Sequence, residues 1–196
     1  MAERSLALCI LIILSPILCV VGLLVLLDSP GPVLFRQWRV GAGGRLFRFT
    51  KFRTYFTDAR ERFPELYNYS YGEKEIEQVC FKVPNDPRAT RVGAWLRQTT
   101  LDELPNFWHV LTGHMALVGP RPEIPEMLPH YRDGELRKFT VRPGVTGLAQ
   151  ISGRGNLSFR ETVAFDLAYV ENQSLLEDLR ILLKTAQCVV FRRGAF

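Results

Sequence analysis

Ser5-Leu6-Ala7-Leu8-Cys9-Ile10-Leu11-Ile12-Ile13-Leu14-Ser15-Pro16-Ile17-Leu18-Cys19-Val20-Val21-Gly22-Leu23-Leu24-Val25-Leu26-Leu27 is the stretch that decides how this chain folds. It holds 23 residues without a charge, bounded by Arg4 and Asp28. That length suits a helix able to cross a bilayer. It exceeds the apolar region of a signal peptide, and no small-residue cleavage site precedes the basic block that follows, so secretion is not expected. Ser15-Pro16 interrupts the run. Proline lacks the amide that would bond four residues back, so a bend is predicted there, with the Ser15 hydroxyl able to bond a carbonyl the bend frees. Each half would then be about 15 Å long, reaching only mid-bilayer. On these residues alone, a kinked crossing helix and a re-entrant helix that leaves by its own face of entry both stay open. Either one places the basic flank and the rest of the chain on the cytoplasmic side.

Outward from this run, the 196 residues suffice for one cored domain. The predicted division is a membrane segment over 1–28 and a cytoplasmic domain over 29–196. The net charge is only +5, but between Asp28 and Asp58 no acid occurs while Arg36, Arg39, Arg45, Arg48, Lys51 and Arg53 do. Such a block suits nucleic acid, anionic lipid headgroups or a phosphorylated substrate. Cys9, Cys19, Cys80 and Cys188 show no CxxC spacing, which argues against a disulfide framework or zinc site.

Asp28-Ser29-Pro30-Gly31-Pro32 ends the first helix. Val33 to Val40 and Leu46 to Phe52 read as a β-hairpin around Gly41-Ala42-Gly43-Gly44, which matches no phosphate-loop fingerprint and is read as a turn. Residues 58–78 look like a solvated helix and loop. Thr100 with Glu103 spells a capping box, predicting a helix from there to about Leu111 with Gly113 as its stop. Asp102 and Glu103 are then two adjacent carboxylates at a helix start, a common acidic preference. Taken alone, that preference accounts for them; the sharper reading is a place for a metal-bound diphosphate and a carboxylate nucleophile. Pro120-Arg121-Pro122, Arg142-Pro143-Gly144 and Gly153-Arg154-Gly155 hold arginines on rigid loops, free to grip phosphate oxygens. Two helices follow, opened by Ser158/Glu161 and Ser174/Glu177; the second ends in Arg192-Arg193 and suits either the core or the membrane interface. His109, His114 and His130 form no ligand pattern.

In this order the motifs resemble the bacterial sugar transferase family, the monotopic phosphoglycosyl transferases. They are Ser15-Pro16, Asp28-Ser29-Pro30-Gly31-Pro32, Phe35-Arg36-Gln37, Arg39-Val40-Gly41, Lys51-Phe52-Arg53-Thr54, Leu96-Arg97, Thr100 to Pro105, Val118 to Pro122, Arg142 to Gly147, Gln150, Gly153-Arg154, Asp166 and Tyr169-Val170. Departures are Glu3-Arg4 for the usual opening, Tyr55 and His114. The resemblance implies an α+β, mostly helical fold with a re-entrant membrane helix bent at Ser15 and Pro16, a small hairpin, capped helices and proline- and glycine-rich active-site loops at the membrane interface. It implies transfer of a phosphosugar from a UDP-sugar to a polyprenyl phosphate, with UMP released at the cytoplasmic face of the bacterial inner membrane. Asp102 would be the nucleophile and Glu103 its helper, both at a Mg2+ ion, and nucleic acid would be no partner. Arg97, Arg121, Arg142, Gln150 and Arg154 become substrate-binding candidates, with Lys51 and Arg53 facing the lipid phosphate. A non-enzymatic lipid anchor and a transferase that passes the sugar alone and releases UDP are the rival readings.

Overall fold

The computed structural model describes residues 2–81, 83–153 and 156–190. Helix α1, Ala2–Asp28, is unbroken through Pro16 and spans about 40 Å at the helical rise. Pro16 leaves the carbonyl four residues back without its amide, and that carbonyl, on Ile12, accepts the Ser15 hydroxyl at 2.8 Å instead. The hydroxyl bond was expected, and Pro16 lies inside one continuous helix.

One stripe of α1 meets the rest of the protein. Ala7, Val21 and Val25 are buried, and Glu3, Ile10, Leu11, Leu14, Leu18 and Gly22 are half-buried on the same side, at the three- and four-residue spacing of a helix face. Near its start Ala7 joins Val110, Met115 and Leu117. Near its end Val21 and Val25 pack on Phe52 and Leu96. The remaining faces present Ile12, Ile13, Ile17 and Val20 outward, an apolar surface that the rest of the fold leaves uncovered.

Strands β1, Leu34–Val40, and β2, Leu46–Phe52, pair antiparallel from Leu34↔Phe52 to Val40↔Leu46. The connection is a 3-10 turn over Ala42–Gly44 in which Gly43 and Gly44 take positive φ, as the turn reading anticipated. Short helices α2, Ala59–Arg62, and α3, Glu73–Ile76, occupy the stretch read as solvated, but Ala59 and Ile76 are buried, and Ile76 joins a core with Ile124, Met127 and Phe159. Helix α4, Arg91–Thr99, is capped by Thr90 through the Gly93 amide, and Asp28 at the end of α1 accepts the Val92 amide at 2.9 Å. Gly93 lies against Thr54, whose carbonyl oxygen would be 2.0 Å from any Cβ there; only glycine allows α4 to sit this close to the strand exit.

The capping box predicted at Thr100 and Glu103 does not form. Thr100 is the left-handed C-cap of α4, with φ 59°, and its hydroxyl bonds to Thr99 O. A 3-10 turn over Leu101–Asn106 follows, then helix α5, Phe107–Thr112, closed by Gly113 at φ 85°. The preceding helix claims Thr100 as its terminus, so the side chain is not free to cap the next element. Strands β3, Ala116–Val118, and β4, Gly144–Thr146, pair in parallel. Helices α6, Leu148–Gly153, α7, Phe159–Glu171, and α8, Leu175–Val190, complete the fold. The Ser158–Glu161 box is present on both arms, and Ser174 Oγ accepts the Glu177 amide. Helix α8 divides its faces: Ile181 is buried in the cluster around Ala7, whereas Leu175, Leu176, Leu179 and Leu183 face outward.

Arg53 corrects the sequence reading. Its Nε donates to Pro32 O, Nη1 to Ser29 Oγ and Pro30 O, and Nη2 to Val25 O and Ser29 O. Every guanidinium donor is thus used on the end of α1 and the turn after it, so the side chain staples the long apolar helix to the hairpin and keeps no donor free for a lipid phosphate. Arg53→Ala is expected to cost about 3 kcal/mol or more by stranding buried carbonyls. Arg53→Lys, with three donors for five acceptors, should recover little of it; thermal melts in detergent micelles would read both.

Candidate active site

The inner face of the hairpin carries Phe35, Gln37 and Arg39 opposite Lys51, Phe49 and Phe47. The β2 part of that face lies over the 3-10 turn of residues 101–106. Asp102 on this turn is 4% exposed, and Lys51 Nζ donates to its Oδ2 at 3.3 Å. Burial pushes the Asp102 carboxyl above the ordinary aspartate range, and Lys51 offsets this only in part. Glu103 turns to Arg121, which grips it with Nη2 at 2.6 Å from Oε1 and Nη1 at 3.4 Å from Oε2. Burial would raise Glu103 too, but Arg121, with Lys51 and Arg39 behind it, outweighs burial and holds the carboxyl below its usual range. Two neighbouring carboxylates are therefore set in opposite directions, a pattern suited to dividing two chemical roles.

The backbone immediately before the pair is strained. Thr100 is β-branched and sits at positive φ, a conformation that costs about 1–3 kcal/mol and persists only where the surroundings impose it. That corner reverses the chain from α4 into the turn that carries Asp102.

Arg121 is delivered by β3. The Gly119 amide donates to Thr146 O and the Gly144 amide to Pro120 O, each at 2.9 Å, so the loop is fixed on both sides of its first proline. Behind it Lys138, 2% exposed, lies 3.0 Å from Asp166 Oδ2 and 3.6 Å from Glu123 Oε2. Lys138 also donates to the Tyr131 hydroxyl, which donates onward to Glu123. Arg39 completes the surroundings: Nη1 donates to Pro122 O at 3.1 Å, and the guanidinium stacks over Phe49. Burial, and then the neighbouring charge of Arg121, lower its pKa to about 10. Neither Arg39 nor Lys138 was among the site residues read from the sequence. Strand alternation could have found Arg39, which shares a hairpin face with Lys51. No local signal marks Lys138.

Lys51, Asp102, Glu103 and Arg121 thus come together. Arg53, Arg97 and Arg142 lie elsewhere. Arg97 Nη1 donates to Asp86 Oδ2 at 2.8 Å and to the Tyr55 hydroxyl at 2.6 Å, and Asp86 also binds Arg88. Among the described residues Arg97 makes no bond to the carboxylate pair; its charge serves the Asp86 cluster. Arg142 bonds Met115 O and Glu3 Oε2, at the first turn of α1. Among the described residues Gln150 finds no partner for either of its buried amide atoms. Arg154, like Arg192 and Arg193, falls outside the described residues. His109 is buried, and burial lowers its pKa to about 4, so it is a neutral ring packed against Phe47 and Phe49.

The sequence description of the bacterial sugar transferases matches residues 1–192. The chain belongs to that family. It is similar to the exopolysaccharide production protein ExoY of Rhizobium meliloti, 39% identical over 186 residues that cover 95% of this chain and 82% of that protein. It is 43% identical to the undecaprenyl-phosphate galactose phosphotransferase of Salmonella typhimurium over 95% of this chain and 39% of that one. It is 41% identical to the UDP-glucose:undecaprenyl-phosphate glucose-1-phosphate transferase of Escherichia coli over 92% of this chain and 37% of that one. The chain therefore spans about two fifths of the length of these last two sugar transferases and most of the first.

The Mg2+ expected for such a transferase can be tested against the donor set. Among the described residues no group of three or more His, Cys, Asp or Glu side chains converges as a metal cage. Asp102 and Glu103 offer hard oxygen donors beside two cations. That set fits magnesium, which takes one or two protein carboxylates and completes its shell with water and substrate phosphates.

Proposed function

We propose that this chain transfers a phosphosugar from a UDP-sugar to a polyprenyl phosphate through a covalent intermediate on Asp102. The observation that carries the reading is the pair itself: a buried Asp102 held by Lys51 beside a Glu103 held by Arg121, in a chain of this family. An Asp102 carboxylate oxygen attacks the sugar-bearing β-phosphorus of the donor, and the bridging bond to the α-phosphate breaks to release UMP. A phosphate oxygen of the polyprenyl carrier then attacks the same phosphorus, forming the diphosphate bridge and returning the free carboxylate. Splitting one transfer into two displacements is what a carboxylate nucleophile contributes. Arg121 and Lys51 supply positive charge where the transferring phosphoryl group and the departing UMP would gather negative charge. Glu103, kept ionised by Arg121, can take part in a Mg2+ shell or in proton transfer. When bound by Asp102 and Glu103, Mg2+ would neutralise diphosphate charge.

The proposed setting is the cytoplasmic face of the bacterial inner membrane. Both ends of α1 rest on the same domain, which supports a helix that lies in lipid on one side of the membrane without crossing it. Its uncovered apolar faces, and the outward leucines of α8, would meet acyl chains and the interface.

The deciding assay is nucleotide release by purified protein in nanodiscs with undecaprenyl phosphate, Mg2+ and a panel of UDP-sugars, wild type beside Asp102→Asn. UMP from one donor, lost in the variant, is the expected result and names the sugar. Release of UDP would overturn phosphosugar transfer in favour of simple glycosyl transfer. Activity retained in Asp102→Asn would overturn the covalent route, and no nucleotide from any donor would favour the anchor reading.

A further inference from the structure

The first turn of α1 reaches further into the domain than an anchor needs. Among the described residues strand β3 pairs with β4 alone, in parallel; the Ala116 amide at its start and the Gly119 amide just past its end donate to Pro143 O and Thr146 O. The Leu117 amide between them points to the opposite edge. There Glu3 Oε1 accepts it at 3.0 Å, while Oε2 accepts Arg142 Nη2 at 2.7 Å. Arg142 Nη1 in turn donates to Met115 O, just before β3. The Glu3 carboxylate thus stands in for a missing strand and ties β3 to the segment entering β4. Ala7, one turn along α1, is fully buried against Met115 and Leu117 and keeps the carboxylate seated. Three residues beyond β3 is Arg121, the partner of Glu103.

We infer that Glu3 is a positioning residue: through the Leu117 amide and Arg142 it fixes the strand that aims Arg121 at Glu103, so that the seating of the membrane helix sets the geometry of the catalytic pair. Glu3 touches no reacting atom. The inference rests on the transferase reading only for its effect on turnover; the mechanical tie has a readout of its own.

The test is amide hydrogen exchange on the full chain in nanodiscs, together with UMP-release kinetics, for Glu3→Ala and Glu3→Gln. Glutamine keeps an oxygen for the Leu117 amide but loses the ion pair; alanine loses both, so a graded response is expected. In Glu3→Ala, exchange should quicken by about tenfold or more from Leu117 to Arg121 while α4 and α7 keep their protection. Turnover should fall about tenfold with donor KM little changed, the mark of lost transition-state alignment, and Glu3→Gln should fall between. Unchanged exchange at Leu117–Arg121 overturns the tie. Exchange quickened throughout the domain overturns it too, because Glu3 would then be a general stability residue; if the alanine variant does not fold, Glu3→Gln distinguishes local from general quickening in its place. Local quickening with unaltered turnover overturns the link to Arg121. If the wild type releases no nucleotide but local quickening still appears, the tie stands and the transferase reading falls separately.

Discussion

Replacing Asp102 with asparagine is expected to lower UMP release by about 10³-fold or more, the scale of losing a nucleophile whose partners remain in place. The amide is close in shape to the carboxylate and can still accept from Lys51, so the loss would reflect chemistry and not a rearranged site. The same substitution should leave the protein as stable as before or more so. Asp102 is 4% exposed, and burial raises its pKa; ionised aspartate is thus held at a cost that asparagine does not carry. A melting temperature unchanged or raised by about 2–4 °C beside lost turnover would mark a site kept reactive at the expense of stability. A fall in melting temperature of that size would show that the Lys51 ion pair stabilises the turn by more than burial costs.

The largest effect on stability is expected at Lys138. Lys138→Met removes the cation from a fully buried Asp166, and stranding one partner of a buried ion pair costs about 3–5 kcal/mol. The size depends on pH in a set direction. Asp166 already has a raised pKa, through burial and despite Lys138, and removing Lys138 raises it further. A carboxyl whose folded pKa exceeds its unfolded value of about 3.9 destabilises the fold above that value, and the penalty is complete only above the folded pKa. The deficit of Lys138→Met should therefore be largest near neutrality and shrink as pH falls towards 4. Adding Asp166→Leu should return much of the loss at pH 7, since an apolar pair of similar volume needs no compensation. Denaturant titrations at pH 5 and pH 7 would check all three statements; a deficit independent of pH would mean that lost packing, and not the stranded charge, is responsible.

Much of this architecture was legible because it is written in short-range pattern. The charge-free run up to Leu27 gave α1, the Gly43-Gly44 turn between two apolar strands gave the hairpin, and Ser158 with Glu161 gave the start of α7. Each depends on residues within one turn or one strand of each other. Asp102, Glu103 and Arg121 were legible through motif order, and the fold brings them together. What the sequence concealed was the partner of each remaining arginine. Arg53, Arg97 and Arg142 look alike on basic or glycine-rich segments, yet their acceptors are Ser29, Asp86 and Glu3, and the last lies 139 residues away. An arginine on a loop reads as free for a ligand until the acid or carbonyl that occupies it is known. Lys138 with Asp166 was hidden for the same reason. The Thr100 box failed more locally: the short-range signal was present, but α4 ended on the residue the box required.

The Arg53 staple has a consequence for how the catalyst meets its lipid. One guanidinium joins the last turn of α1 to Ser29, Pro30 and Pro32, and Asp28 caps α4 alongside. This junction is a stiff bracket and not a tether, so under the proposed function the nucleophile rides at a constant height above the acyl chains. Encounter with the carrier is then a search in two dimensions: the domain does not swing to collect a phosphate from solution, and an acceptor drifting in the leaflet arrives already at the level of the reaction.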